Sequence, residues 1–171
     1  MEHSGNQTAI FAGGCFWCTE HDFDHVEGVL STTSGYTGGS KPNPTYEEVC
    51  SGETGHVEAL QVVFDPLRVS YEQLLHIYFQ SIDPTRNDGQ FCDIGSQYRP
   101  VIFYENETQK ELAESYMRDL VASKKIAPFL VKIAPASIFY PAEEYHQKFY
   151  QKNPAHYKSY RAASGRDRRT K

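Results

Sequence analysis

Alternating runs of hydrophobic and polar residues divide the chain into short strands and amphipathic helices. Apolar runs bounded by turn residues predict strands, and apolar positions three or four residues apart predict helices. A helix beginning after Ser70 has a capping box with Gln73, and Thr108 with Glu111 repeats that signature for a helix running to about Ser123. Strands are predicted over residues 9–12, 29–36, 56–64, 101–104 and 129–133, and further helices over 19–26 and 142–152.

The imperfect alternation of these elements predicts the fold class. It indicates an α/β (α+β) fold, a single-domain two-layer sandwich with a mixed sheet packed against helices. No repeat or composition break marks a linker, so we expect a flexible N-terminus over 1–8, one folded domain over 9–160 and a basic flexible tail over 161–171. The connection over 81–99 lacks periodicity but is rich in aromatic and apolar residues, which predicts the wall of a site.

Composition narrows the function classes. The 171 residues are 39% hydrophobic and 23% charged, as in ordinary globular domains, and the net charge of −5 gives no indication of nucleic-acid binding. The first residues lack an apolar signal core and no segment is long enough to span a bilayer, so we expect a cytoplasmic protein without a membrane partner. Four cysteines in a reducing compartment favour catalysis or metal binding over structural disulfides.

The candidate chemistry is concentrated around Cys15. The residues before it, Gly13 and Gly14, follow a predicted strand, and a predicted helix comes after it, so Cys15 lies at a strand-to-helix turn. A thiol there faces unpaired N–H groups and the positive end of the helix dipole, which favour a thiolate. Cys18 follows one turn later, near enough to form a disulfide with Cys15. The pattern predicts thiol redox chemistry.

Glu58 is the second candidate, and its environment has two interpretations. In a regular strand it shares a face with Leu60, Val62 and Phe64, which would bury the carboxyl, raise its pKa and suit it to be a general acid. Alternatively, Glu58 lies at an exposed strand end while the opposite face packs on the core. The strand pattern by itself does not decide between them.

The cysteine pair also has two alternative interpretations. Cys15 and Cys18 are followed by His21 and His25, a set that could bind a metal, although the spacing is far shorter than in a zinc finger. A thioredoxin-like disulfide oxidoreductase also places a CxxC pair at a helix start, but two bulky aromatics separate the cysteines here.

Six motifs in order resemble the peptide methionine sulfoxide reductases of the A class, over residues 10–154. They are Gly14-Cys15-Phe16-Trp17, Gly35-Tyr36-Thr37-Gly38-Gly39, Pro42-Asn43-Pro44-Thr45-Tyr46, Val49-Cys50-Ser51-Gly52, Thr54-Gly55-His56-Val57-Glu58 and Gly95-Ser96-Gln97-Tyr98-Arg99. The resemblance implies an α/β sheet fold and reduction of the S epimer of methionine sulfoxide, free or in proteins. It further implies no metal, no organic cofactor, and recycling by thioredoxin. We expect a monomer.

The resemblance also implies the roles of individual residues around the sulfoxide. They are the nucleophile Cys15, the methyl-pocket residues Phe16 and Trp17, the proton donor Glu58, the hydroxyl donors Tyr46 and Tyr98, and Asp93, which helps shape the site. Attack by Cys15 leaves a sulfenic acid, which a second thiol converts to a disulfide.

The second thiol is where this chain differs from many members of the family. Those members resolve the sulfenic acid with cysteines near the C-terminus, whereas this sequence has none there and carries Cys18 where they have glycine. We therefore expect Cys18 to be the resolving cysteine, with Cys92 as a possible second one and Cys50 as structural. The thioredoxin-like disulfide oxidoreductase remains the alternative function.

Overall fold

The structure is a computed structural model that describes residues 5–124 and 129–169. The strands are β1 (Gln7–Ala12), β2 (Val29–Thr37), β3 (Val57–Phe64), β4 (Gly89–Gln90), β5 (Asp93–Ile94), β6 (Val101–Tyr104), β7 (Lys132–Pro135) and β8 (Tyr140–Pro141). The helices are α1 (Phe16–Asp24), α2 (Tyr46–Cys50), α3 (Tyr71–Ser81), α4 (Glu107–Lys124), α5 (Phe149–Lys152), α6 (Pro154–Ser164) and α7 (Arg166–Arg169), with 3-10 turns at Ser96–Tyr98 and Glu144–His146.

Six strands form one sheet in the order β7-β6-β1-β3-β2-β8, and β4 pairs with β5 in a separate hairpin. Neighbours in the large sheet are antiparallel except β6 and β7, which run parallel. The sheet is therefore mixed. Helices pack against it, and the predicted fold class is confirmed.

Both faces of the sheet are buried in its middle. On one face, Phe11 of β1 stacks on Phe23 of α1 and on Tyr78 of α3, with ring centroids 5.1 and 5.2 Å apart. On the other face, Val57 and Ala59 join a second apolar cluster that the chain beyond β7 covers. Because β3 lies between β1 and β2 with both faces packed, every residue from Val57 to Leu60 is buried.

Helix starts agree with the sequence only in part. At α3 the predicted capping box is present, since Ser70 Oγ accepts from the N–H of Gln73 at 3.1 Å and Gln73 Oε1 accepts from the N–H of Ser70 at 2.8 Å. The box predicted at Thr108 is wrong. Asn106 caps α4 instead, because its Oδ1 accepts from the N–H of Gln109 at 2.9 Å. The first helix begins at Phe16 rather than at residue 19.

The later part of the chain differs more from the prediction. The strand expected over 129–133 is β7, shifted to Lys132–Pro135, and the helix expected over 142–152 is a 3-10 turn followed by the short α5. The folded domain was expected to end at residue 160, but α6 continues to Ser164 and Arg166 is only 1% exposed. At the other end β1 already begins at Gln7. No helix in the described ranges is long and apolar enough to cross a membrane.

Candidate active site

Cys15 is held at the start of α1 by a turn that requires glycine. It is the residue that caps α1, and its carbonyl accepts from the N–H groups of Cys18 at 3.1 Å and Thr19 at 3.3 Å. The preceding Gly14 has φ +92°, and a Cβ there would lie 2.7 Å from Cβ of Gln90. Any side chain at position 14 would therefore displace the neighbouring hairpin. The turn before Cys15 consequently requires glycine at this position.

The two thiols at the start of α1 are buried and influence each other. Cys15 is 7% exposed and Cys18 is fully buried. Burial raises the pKa of Cys15 well above its usual range, and the neighbouring Cys18 and the carboxyl of Glu58 raise it further. The neighbouring Cys15 thiol lowers the pKa of Cys18 to about 7 against the burial that raises it, and the positive charge of Arg166 also favours the Cys18 thiolate.

The expectation of a thiolate at Cys15 is therefore wrong for this structure. At the start of the helix the N–H of Phe16 donates to Oε1 of Glu58 at 3.1 Å, and the side chain of Cys15 makes no capping hydrogen bond. One of the N–H groups expected to face a Cys15 thiolate is therefore occupied by a carboxyl from β3. Of the two thiols, Cys18 has the lower pKa and is the one that ionises first.

Glu58 is buried, which agrees with the first of the two interpretations of its environment. It is 1% exposed on the β3 face shared with Leu60 and Val62, and the opposite face of the strand is buried as well. Burial raises the pKa of Glu58 to about 8, against the opposing hydrogen bond from Phe16 and with a further contribution from the charge of Asp93. At neutral pH the site therefore contains a protonated carboxylic acid next to the thiol pair.

Two tyrosine hydroxyls share the environment of Glu58. Tyr46 is the first residue of α2, and its N–H donates to Oε2 of Glu143 at 2.9 Å. Tyr98 ends the 3-10 turn Ser96–Tyr98. Burial raises the pKa of both tyrosines, and the charges of Glu58 and Cys15 raise each of these pKa values further. Both are neutral hydroxyls, able to donate hydrogen bonds on the side of the site where the acid lies.

An aromatic pocket adjoins the thiols. The Trp17 ring stacks on Phe149 with centroids 3.7 Å apart, and its Nε1–H donates to Nδ1 of His146 at 3.1 Å. The ring centroids of Phe16 and Tyr46 lie 5.0 and 4.6 Å from that of His146. The structure thus brings Phe16, Trp17 and Tyr46 together around His146, a residue that the sequence analysis did not single out.

The connection over 81–99 contributes to the site, as predicted. Asp93 accepts a hydrogen bond from the hydroxyl of Tyr160, and burial raises the pKa of Asp93. Cys92 is exposed beside it, and burial of part of its side chain raises its pKa. Cys50 is also exposed and lies near the side chain of Tyr46.

The metal alternative finds no support in the described residues, where no group of three or more His, Cys, Asp and Glu side chains could hold an ion. Instead, the rings of His21 and His25 pack edge to face with centroids 5.2 Å apart, and His21 also contacts Tyr150 and Tyr157. Both histidines belong to an aromatic layer on the outer side of α1.

Several site-building residues were missed by the sequence reasoning. One had a signal: Glu20 shares the buried face of α1 with Phe16 and Phe23 at helical spacing, and its carboxylate accepts from Thr32 at 2.8 Å. The others lie in the tyrosine-rich segment after β8 and in α6 and α7, where no pattern distinguishes them. They are Glu143, His146, Tyr160 and Arg166.

A protonated acid and two neutral hydroxyls beside a buried thiol pair define a class of enzyme. The hydrogen-bond donors suit an oxygen that gains negative charge, and the thiols suit nucleophilic attack followed by disulfide formation. The fold and site are those of a thiol-dependent oxidoreductase.

Comparison with known proteins identifies the family. The family model described as peptide methionine sulfoxide reductase matches residues 7–171. The reductase MsrA of Listeria monocytogenes (strain HCC23) is 56% identical over 167 residues, 97% of this chain and 94% of that protein, and MsrA of Bacillus subtilis is 54% identical, covering 94% and 91%. Mxr1 of Saccharomyces cerevisiae, in its reduced form, superposes with a TM-score of 0.81 at 33% identity over 90% of this chain and 88% of Mxr1.

The chain belongs to the peptide methionine sulfoxide reductase family. The resemblance inferred from the six motifs is confirmed, and so is the enzyme class, an oxidoreductase that uses thiols to reduce methionine sulfoxide. The thioredoxin-like alternative is not favoured.

Proposed function

We propose that this chain reduces the S epimer of methionine sulfoxide, free or in proteins, through a Cys15 sulfenic acid and a Cys15–Cys18 disulfide. The observation that carries the proposal is the hydrogen bond of 3.1 Å from the N–H of Phe16 to Glu58. It fixes a carboxylic acid with a pKa of about 8 one residue from the nucleophile, where it is protonated at neutral pH and able to donate.

The substrate has three distinct groups, and each has a place. The methyl group fits the apolar surface of Phe16 and Trp17, and the sulfoxide oxygen faces the hydroxyls of Tyr46 and Tyr98 and the acid of Glu58. The remainder of the methionine points to solvent. A site with one place for each substituent distinguishes the two epimers, because exchanging oxygen and methyl would put the oxygen against the aromatic rings.

In the first half of the reaction Cys15 attacks the sulfoxide sulfur. Its proton passes to the neighbouring Cys18 thiolate, and Glu58 protonates the oxygen. The oxygen is transferred to Cys15 as a sulfenic acid and methionine leaves, so that the substrate sulfur is reduced and Cys15 is oxidised by two electrons. Asp93, held by Tyr160, keeps the hairpin wall of the site in position.

In the second half Cys18 resolves the sulfenic acid. It attacks the sulfur of Cys15, the S–O bond breaks, and the proton of Cys18 leaves with the hydroxide as water. The backbone geometry supports this assignment, since the N–H of Cys18 donates to the carbonyl of Cys15 at 3.1 Å and the two thiols lie one helical turn apart. Cys92 lies exposed beside Asp93 and is the possible second resolving thiol.

A thioredoxin returns the disulfide to two thiols in this proposal. The yeast relative Mxr1 has been solved in complex with Trx2, and such a dithiol supplies the two electrons that each cycle consumes. The chain acts as a monomer, since one copy contains every group that the steps use. Its place is the cytoplasm, where thioredoxin keeps thiols reduced.

The test is reduction of the separated S and R epimers of a chromophore-labelled methionine sulfoxide, with dithiothreitol as reductant. We expect turnover of the S epimer, negligible turnover of the R epimer, and no activity for Cys15→Ser. Equal rates for both epimers would overturn the proposed pocket. Reduction of insulin disulfides without sulfoxide turnover would restore the thioredoxin-like alternative.

A further inference from the structure

Arg166 at the start of α7 is buried to an extent that is unusual for an arginine. Its side chain is 1% exposed, Nη1 donates to the carbonyl of Ser81 at 2.7 Å, and Nη2 donates to the carbonyl of Gly13 at 3.2 Å. The guanidinium also lies 4.5 Å from the ring centroid of Phe91. Its buried Nε–H has no hydrogen-bond partner in the structure.

This positive charge has no carboxylate in direct contact, although it lowers the pKa of the carboxyl of Asp93 from a distance. Over residues 5–124 and 129–169, its side-chain contacts are carbonyl oxygens and an aromatic face, and no carboxylate lies within ion-pair distance of it. A buried charge without a counter-ion is costly, and it persists where it has a role to play or where the fold forces it. By contrast, Arg161 on the preceding helix is paired with Asp22 at 2.9 Å and with Asp167 at 2.9 Å.

The guanidinium lies at the turn that leads into the thiol pair. It is bonded to the carbonyl of Gly13, and its Nη2 is 3.0 Å from the position that a Cβ on Gly14 would occupy. The next residue is Cys15. A side chain from the last helix therefore reaches the N-terminal end of α1, and its positive charge acts on the sulfur of Cys18.

We propose that Arg166 is a positioning residue of the redox cycle, whose guanidinium holds the Gly13–Gly14 turn and supplies the buried positive charge that stabilises Cys18 as a thiolate. The inference rests on the proposed function, in which Cys18 resolves the sulfenic acid. It adds to that function the electrostatic partner of the resolving thiol.

The charge acts in both disulfide steps. When the disulfide forms, the Cys18–Cys15 bond is made and the Cys15 S–O bond breaks, with Cys18 oxidised and the sulfenic sulfur of Cys15 reduced. When an external dithiol attacks Cys15, the Cys15–Cys18 bond breaks and Cys18 leaves as a thiolate. The second thiol of that reductant then releases Cys15 and carries away both electrons. A cation beside Cys18 stabilises it as attacking thiolate in the first step and as leaving group in the second.

Other titratable groups also face Cys18, and their charge states decide how much of the effect on the thiolate belongs to Arg166. Asp22 opposes the thiolate but is paired with Arg161, and Glu58 is protonated below a pH of about 8. A further carboxyl, Asp93, is affected by the charge of Arg166, which lowers its pKa without an ion pair between them. The remaining groups are the hydroxyls and thiols of Tyr157, Cys15, Cys92 and Tyr160. In the described part of the chain, Arg166 is the positive charge near Cys18 that forms no ion pair, whereas Arg161 is paired with Asp22.

The test follows disulfide formation after a single turnover between pH 6 and 9.5. Reduced enzyme is mixed with excess sulfoxide, quenched at intervals, and assayed for remaining thiols and for the cysteines that are bridged. Arg166→Gln removes the charge and keeps an amide donor for the carbonyls, and Arg166→Lys keeps the charge. Arg68→Gln is the matched control, because Arg68 is half exposed and pairs with Glu27 on the surface.

We expect the wild-type rate of disulfide formation to rise with pH to a plateau, with a midpoint set by the ionisation of Cys18 while Cys15 is a sulfenic acid. In Arg166→Gln the midpoint should move up by on the order of one pH unit, which slows disulfide formation roughly tenfold at pH 7 where it depends on the thiolate. Arg166→Lys should retain the wild-type midpoint, and Arg68→Gln should match the wild type throughout.

An unchanged midpoint in Arg166→Gln would overturn the proposal, and so would an equal slowing at every pH in both Arg166 variants, which is what a purely structural support would give. If Arg166→Gln does not fold, as judged by thermal melting, Arg166→Lys decides: a midpoint displaced upward despite the retained charge would overturn the proposal. A Cys15–Cys92 bridge in the wild type would instead contradict the proposed resolving role of Cys18, so that the two failures are distinguishable.

Discussion

Replacing Glu58 by glutamine gives a direct test of the buried acid, because the change keeps the shape of the side chain and removes its ionisation. The N–H of Phe16 retains an oxygen acceptor in the variant, so the local fold should persist. Two properties should change. The rate of methionine release in a single turnover should fall by about 10²–10⁴-fold at pH 7, the usual contribution of a general acid, and the dependence of stability on pH should change.

The magnitude of the second effect follows from the pKa. Glu58 titrates at about 8 in the folded chain against a usual value of 4.5, so between these limits the native state holds a proton that the unfolded state has lost. Because the native state binds more protons, its stability falls as pH rises, at roughly 1.4 kcal/mol per pH unit. With partial ionisation at each end included, wild type should lose about 3 kcal/mol relative to Glu58→Gln between pH 5 and 7.5.

The assay is urea unfolding of both proteins at pH 5, 6, 7 and 7.5, with the difference in unfolding free energy plotted against pH. A buried acid that does not interact with Glu58, such as Glu20, titrates in both proteins, so its contribution cancels in the difference. Wild-type methionine release should also decline above about pH 8 as Glu58 loses its proton. A difference in unfolding free energy that stays constant with pH would refute the raised pKa, and an unchanged release rate would refute the acid role.

Three further predictions test other parts of the site and fold. Cys18→Ser should release one methionine per chain without reductant and lose turnover with thioredoxin, whereas Cys92→Ser should keep nearly normal turnover; the reverse pattern in steady-state kinetics would assign resolution to Cys92. Asn106→Ala should cost about 1 kcal/mol in urea unfolding as a lost helix cap, and Thr108→Ala much less; equal losses would contradict the observed cap. Gly14→Ala should lower stability by about 1–3 kcal/mol through backbone strain and should impair the release of methionine; a wild-type melting curve would contradict the tight turn.

Short-range patterns predicted the parts of the fold that short-range contacts determine. The cap at Ser70 depends on a residue three positions away, and the face of β3 that contains Glu58 depends on strand alternation. Thr108 satisfies the same capping pattern, but the helix cap predicted there is wrong. The position of Gln109 explains why Asn106 is the residue that caps α4. The side chain of Gln109 donates to the carbonyl of Thr8 on β1 at 2.9 Å, a contact that only the folded chain contains.

The chemistry of the site was predictable in its residue types but not in its electrostatics. The motifs indicated Cys15, Glu58 and the tyrosines. The protonation of the thiols depends on their burial and on the charged groups that the fold brings beside them, and no local pattern encodes either. The basic residues after 160 were expected to be solvated because composition alone describes them, yet Arg166 finds buried carbonyl partners on α3 and before α1.

The hydrogen bonds that assemble the site join parts of the chain that are far apart in sequence. The partners are separated by 42 residues for Phe16 and Glu58, by 129 for Trp17 and His146, and by 153 for Gly13 and Arg166. Closing such long loops is entropically costly and slow, so these bonds should form late in folding. The two cysteines, three residues apart, are neighbours from the outset. An oxidant can therefore link Cys15 to Cys18 in a chain that has not yet built the acid, the pocket or the buried arginine, and reductant must be present during refolding for the thiols to reach the native state free.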